Sequence, residues 1–218
     1  KLWNVSTTGE QMQHLAEAIG RCSQLTSLSL EIWHVPTTGE QIRRLAEAID
    51  RCSQLTSLSL DFWGAPTIGK QLPCLAEAIG RCSQLTSLSL EIWHVPTTGE
   101  QIRRLAEAID RCSQLTSLSF EFYNCNIDGH HFGELVAGIG SCLLLTGLRL
   151  ALLGSPIGGK QLGRLGEEIG RCSELKTLVL NFERIAKCTG QQLAVPGSLE
   201  SGLDAPLESN HQQRFEKV

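Results

Sequence analysis

The sequence predicts an α/β fold built as a solenoid, with short parallel strands on one wall and helices on the other, stacked unit upon unit. Three observations predict it. The run Leu-Thr-Ser-Leu-Ser-Leu at 25–30 returns at 55–60 and 85–90, then as LTSLSF at 115–120, LTGLRL at 145–150 and LKTLVL at 175–180, so six copies stand at a period of thirty residues. Within each copy the apolar residues first alternate and then fall at spacings of three and four, the signatures of a strand and of a helix. One strand and one helix cannot bury their leucines alone, so each unit must stack on its neighbours.

The strand comes first in each unit. From Ser27 to Trp33, Leu28, Leu30 and Ile32 point one way and Ser27, Ser29, Glu31 and Trp33 the other, which gives one buried face. The alternation runs past the last leucine, because the next inward position is Ile32, Phe62, Ile92, Phe122, Leu152 and Phe182 in successive units. Val-Pro-Thr-Thr-Gly-Glu-Gln follows, where Thr37 with Glu40, or Thr38 with Gln41, fits a capping box. A helix is then predicted with Ile42, Leu45, Ala46, Ile49 and Cys52 as its inward stripe. Its outer face carries Glu47 and Arg51, repeated as Glu17/Arg21, Glu77/Arg81, Glu107/Arg111 and Glu167/Arg171, pairs worth about 0.2–0.5 kcal/mol each. Pro73 is expected in the first turn of its helix, where a missing N–H costs little. Residues 31–59 and 91–119 are identical, which points to recent duplication or to design.

The motif Leu55-x-x-Leu58-x-Leu60 followed by a helix with Leu-Ala-Glu-Ala-Ile resembles the leucine-rich repeat of the ribonuclease-inhibitor-like class, over roughly residues 1–180. The resemblance implies a curved parallel sheet on the concave side, helices on the convex side, and a role in binding or scaffolding. The chain departs from the family where an asparagine usually stands three residues after the last leucine: Trp33, Trp63, Trp93, Tyr123 and Leu153 occupy those positions. The asparagine's hydrogen-bond ladder is therefore not expected, and the slightly longer strand-to-helix loop is expected to take its own geometry. Three segments follow from the pattern: residues 1–180 as an array of six units, 181–193 as a degenerate seventh unit in which Thr189-Gly190-Gln191-Gln192-Leu193 echoes a helix start, and 194–218 as a disordered polar tail.

Composition removes several function classes. The 218 residues carry 19 Lys and Arg against 23 Asp and Glu, a formal charge of −4 that offers no general field for nucleic acid. No apolar run is long enough for a membrane span and no signal-like segment opens the chain, so no membrane association is expected. Nine cysteines would suit a disulfide framework, but Cys22, Cys52, Cys82, Cys112, Cys142 and Cys172 recur with the repeat at the inward edge of each helix. They are expected as a column of small buried hydrophobes in a reducing, cytoplasmic compartment, with Cys74, Cys125 and Cys188 off the column. The absence of CxxC, of HExxH and of a His pair one turn apart gives no expected metal site, and no cofactor is expected either. Gly158-Gly159-Lys160 lacks the phosphate-loop spacing, and no catalytic constellation emerges, so the chain is not expected to be an enzyme.

The informative surface is the outward side of the strands. It carries two serine columns (Ser27, Ser57, Ser87, Ser117 and Ser29, Ser59, Ser89, Ser119), an acidic column of Glu31, Asp61, Glu91 and Glu121, and an aromatic column of Trp33, Trp63, Trp93 and Tyr123, with Trp3 one unit earlier. Two readings stay open. Duplication could have copied one tolerable surface whose indoles pack over the rim in place of the asparagine. Alternatively the acid and aromatic columns form a binding strip for a Lys/Arg-rich protein or peptide segment, through charge pairing and cation–π contacts of about 0.5–2 kcal/mol each. Gly147, Arg149, Ala151 and Leu153 break the columns, so the strip is expected to fade near residue 150. The predicted function is a non-catalytic protein–protein interaction module working through its concave strand face. The alternative is the recognition arm of a larger regulatory or effector protein whose activity lies outside this chain.

Overall fold

In the computed structural model each leucine motif forms a strand. Residues 2–3 and 9–182 are described, apart from 34–36, 66, 126 and 156. The strands are β1 (Leu2–Trp3), β2 (Ser27–Trp33), β3 (Ser57–Trp63), β4 (Ser87–Trp93), β5 (Ser117–Tyr123), β6 (Gly147–Leu153) and β7 (Thr177–Asn181). Between them lie α1 (Gly9–Arg21), α2 (Gly39–Arg51), α3 (Thr67–Arg81), α4 (Gly99–Arg111), α5 (Gly129–Gly140) and α6 (Gly159–Ile169). Every strand pairs parallel with the next in chain order, and Leu28 stands opposite Leu58, Leu58 opposite Leu88, Leu88 opposite Leu118. The expected parallel stack is thus what forms. The seventh-unit and tail expectations, from residue 183 onward, fall outside the described residues.

The core lies between the strand wall and the helix wall. Leu58, Leu60, Phe62, Leu88, Leu90, Ile92, Leu118, Phe120 and Phe122 are all at most 1% exposed, and the stripe Ile42, Leu45, Ala46, Ile49 and Cys52 meets them from α2. Burying one such large side chain stabilises by about 1.5–3 kcal/mol, and because each touches the units on both sides the energy is shared between neighbours. Gly138 on α5 marks how close the helices come: a Cβ there would sit 2.7 Å from the Ala106 carbonyl oxygen and 3.2 Å from the Ala106 Cα on α4. Both atoms are backbone and cannot rotate away. Gly138→Ala is expected to cost about 1–3 kcal/mol by forcing the helices apart, read as a lower urea midpoint; an unchanged midpoint would show that α4 and α5 can separate freely.

Polar ladders tie the units together where the asparagine is missing. Thr56 Oγ1 donates to the Thr26 carbonyl (3.0 Å), and Thr86, Thr116 and Thr146 each donate to the threonine one unit back. The same Thr26 oxygen also accepts from the backbone N–H groups of Thr56 and Ser57. A second ladder runs through the cysteines: Cys52 Sγ donates to the Ile19 carbonyl at the end of the preceding helix, and Cys112 does the same to Ile79. These contacts keep the repeat spacing fixed at both walls. The residue after Trp63, Trp93, Tyr123 and Leu153 takes a left-handed turn, with φ of 64° at Gly64, 56° at His94, 54° at Asn124 and 77° at Gly154. Gly and Asn suit that turn, which gives the strand-to-helix loop its own geometry.

One detail decides between two expected alternatives, and three depart from expectation. The helix start uses Thr38 and not Thr37: the Thr38 hydroxyl accepts from the Gln41 N–H while the Gln41 side chain accepts from the Thr38 N–H. Thr37 is buried and hydrogen-bonded to Thr67. Pro73 lies in the interior of α3 and not in its first turn, because the Ile68 N–H bonds the Ala65 carbonyl and the helix starts early, at Thr67. Glu47 and Glu107 turn back to Arg43 and Arg103, whose guanidinium groups lie one turn upstream, while Glu77 pairs forward with Arg81 as the spacing predicts. Cys22 is exposed, unlike Cys52, Cys82, Cys112, Cys142 and Cys172. The buried ones sit beneath the helix end of the preceding unit, and among the described residues no helix precedes α1.

Candidate functional site

Register places the two outward columns side by side. Glu31, Asp61, Glu91 and Glu121 are direct partners across β2 to β5, and so are Trp33, Trp63, Trp93 and Tyr123. Parallel neighbours lie about 4.8 Å apart, so four carboxylates stand in one row at that interval. Glu31, Asp61 and Glu91 are half-buried and Glu121 is 8% exposed. The row is therefore neither fully hydrated nor closed.

The aromatic column forms a continuous pile. Trp33 meets Trp63 edge-on with centroids 6.0 Å apart, Trp63 stacks on Trp93 at 5.1 Å, and Trp93 stacks on Tyr123 at 3.4 Å. All four rings remain half-buried. The Trp3 side chain lies outside the described ones. Stacking turns the ring faces of Trp93 toward its neighbours, so what the pile presents outward is mostly ring edge. The polar tips bind the acids: Trp33 Nε1 donates to Asp61 Oδ2 at 2.7 Å, the Trp93 indole donates to Glu91, and the Tyr123 hydroxyl donates to Glu121 Oε2 at 2.7 Å. The indoles thus serve both as packing over the rim and as donors to the acidic row.

The charges in the row are unequal. Glu121 is met by Arg149 from β6, whose Nε donates to Glu121 Oε1. The guanidinium stays firmly charged beside that carboxylate. Burial, with the like charges of Asp61 and Glu121 on either side, pushes the Glu91 carboxyl up from an ordinary 4.5 to about 7. Burial and the neighbouring Glu121 also raise the Tyr123 phenol. Near neutral pH the Glu91 carboxyl in the middle of the row is therefore part-protonated.

The eight outward residues singled out from the sequence stand side by side across β2 to β5, while Arg149 escapes the sequence as a contact. It was read only as the point where the columns break. The signal was present, since position 149 pairs with Ser119, two residues from Glu121 on the same outward face, which puts the arginine on the diagonal to that carboxylate. The eight described cysteines are free thiols, and burial raises Cys82 and Cys142 to about 11 and Cys112 and Cys125 to about 12. Among the described residues no helix is long and apolar enough to cross a membrane.

No protein family and no curated protein matches the chain. Solved structures do. The tropomodulin C-terminal domain of Caenorhabditis elegans matches with a TM-score of 0.53 at 18% identity, over 77% of this chain and 95% of that one. The actin-binding site 2 of leiomodin-1 matches with a TM-score of 0.57 at 15% identity, over 78% of this chain and 92% of that one. Likeness at such identities concerns the fold, and it is the fold that the repeats predict: a leucine-rich-repeat-like solenoid of parallel strands and helices.

Proposed function

We propose that this chain is a non-catalytic protein-binding module of the ribonuclease-inhibitor-like kind, acting in the cytoplasm, and that its concave strand face receives an extended Lys/Arg-rich segment along Glu31, Asp61, Glu91 and Glu121 beside the rings of Trp33, Trp63, Trp93 and Tyr123. The observation that carries this reading is the raised Glu91 carboxyl between two further acids, which marks a place where a cation from outside would be favourable. A Lys or Arg side chain laid over Asp61 and Glu91 would do there what Arg149 does at Glu121. The equal strand spacing suits an extended ligand with basic residues at regular intervals. Leiomodin-1's actin-binding site supports protein binding as a class; at 15% identity the partner is read from this chain's own surface.

A second reading, the recognition arm of a larger protein, draws support from the same neighbours, one of which is named as a C-terminal domain and the other as one binding site of its protein. The strip would serve either arrangement. A decalysine or decaarginine peptide titrated into the full chain, followed by tryptophan fluorescence, is expected to bind at low salt and weaken at high salt. Converting Asp61→Asn together with Glu91→Gln should weaken it about tenfold, or ~1.4 kcal/mol, as two partly screened pairs would. Binding that ignores salt, or equal affinity for the double variant, would leave only the packing role.

A further inference from the structure

The unit made of β5 and α5 departs from its siblings at the start of its helix. Where the starts of α2 and α4 have Thr38/Thr98, Glu40/Glu100, Gln41/Gln101 and Arg44/Arg104, the start of α5 has Asp128, His130, His131 and Glu134. In a chain with two units identical over residues 31–59 and 91–119, four ligand-type side chains arriving together at the start of α5 are conspicuous. They also converge in space. Ligand atoms of His130, His131 and Glu134 all lie within 4.8 Å of one another. Glu134 is one turn beyond His130 and three residues beyond His131, so all three side chains rise from the same side of the first turns.

Two further contacts look like the support of a metal ligand. His131 Nδ1 lies 2.7 Å from Asp128 Oδ1, a carboxylate that also accepts the backbone N–H groups of His130 and His131. With its Nδ1 proton given to a carboxylate, a neutral imidazole offers its Nε2 lone pair, which is the usual arrangement behind a metal-bound histidine. Space has been made for that ring. A Cβ on Gly99 of α4 would overlap His131 at Nε2 and at both flanking ring carbons almost equally, as an atom above the ring plane would. The ring therefore lies against the bare glycine backbone, where any side chain would displace it. Glu134 Oε2 is a buried carboxylate oxygen with no hydrogen-bond partner. Arg103 feels the Glu134 charge, but its N–H groups go to Glu100 and Glu107. A buried carboxylate oxygen left in this state is costly, and a cation at the mouth of the cluster removes that cost.

We infer that His130, His131 and Glu134 bind a divalent transition-metal ion of the zinc class, with Asp128 holding His131 in place and water completing a four-coordinate shell. Two imidazoles, one carboxylate and an open position suit Zn2+ better than the all-oxygen shells of Mg2+ or Ca2+. Metal–ligand distances of about 2.0–2.2 Å require the cluster to draw together, and His130 is exposed, so its side chain can turn toward the other two. The cluster lies at the start of α5, on the helix wall and not among the outward side chains of the strands, and does not depend on what the acidic row binds.

Titration of the full reduced chain with Zn2+ by calorimetry tests this, with Co2+ as a spectroscopic probe. One equivalent is expected to bind, with a cobalt spectrum that lacks thiolate-to-metal charge transfer, since exposed Cys22 is the alternative ligand. His130→Ala, at an exposed position, and Glu134→Gln should each weaken Zn2+ about tenfold or more. Asp128→Asn retains the helix cap, because Asn caps as well as Asp, and should still weaken it about 10–100-fold. Affinity equal in wild type and all three variants, or thiolate charge transfer in the cobalt spectrum, would overturn the assignment.

Discussion

Phe120→Ala is expected to cost about 3–5 kcal/mol and to unfold the array unevenly. The ring is fully buried on β5 and tilts against Phe122 with centroids 5.8 Å apart. In the other units a leucine fills this place, as Leu60, Leu90 and Leu150 do, so the phenylalanine occupies a larger hole and its removal leaves a larger void. β5 is hydrogen-bonded to β4 on one side and β6 on the other, and in a stack held by nearest neighbours a weak unit loosens what lies beyond it. Hydrogen exchange should therefore speed up across β5, β6 and β7 while β3 stays protected, and the urea transition should broaden. Uniform loss of protection along the chain, or a cost under ~1 kcal/mol, would mean that the units do not share their core as described.

Glu91→Gln should stabilise the protein at pH 8 and leave it nearly unchanged at pH 4. Burial first, and then the charges of Asp61 and Glu121, raise this carboxyl from 4.5 to about 7. The folded state therefore holds the proton more tightly than the unfolded chain, and the stability this gives is complete below 4.5 and lost as the pH rises through 7. Above that pH the protein carries a half-buried anion between two others. Glutamine keeps the shape and can still accept from the Trp93 indole. After allowance for solvent screening the gain at pH 8 is about 1–2 kcal/mol. Urea midpoints of both proteins at pH 4 and pH 8 check it; a variant less stable at pH 8 would show that Glu91 is an asset when charged.

Much of this was legible from the residues, for a physical reason. A solenoid's core is local: Leu58 and Leu60 meet their equivalents in the next unit, so one period read correctly places every strand, helix and inward residue. The acidic and aromatic columns were legible for the same reason, as each is one position repeated. What escaped depends on contacts between unlike positions, or on backbone groups that the pattern of side chains does not show. Arg149 reaches Glu121 only because a degenerate unit breaks the column beside an intact one. The threonine ladder escaped because Thr56 reads as a polar strand edge until the carbonyl one unit back is in view. His131 needs the bare backbone of Gly99 across the helix gap, and no pattern within a single helix reveals that. The early start of α3, which draws Pro73 into its interior, was set by one carbonyl in the loop before it.

Because residues 31–59 and 91–119 are the same, α1 would meet α4 as it meets α2, and the half-strand before residue 31 would continue into Glu91 as it does into Glu31. Excising residues 31–90 would leave a shorter array whose every junction already exists in the longer one. Length in this molecule is accordingly an adjustable quantity. Pairs of units can be lost or gained without any new surface having to fit, and the reach of the acidic row would grow or shrink with them.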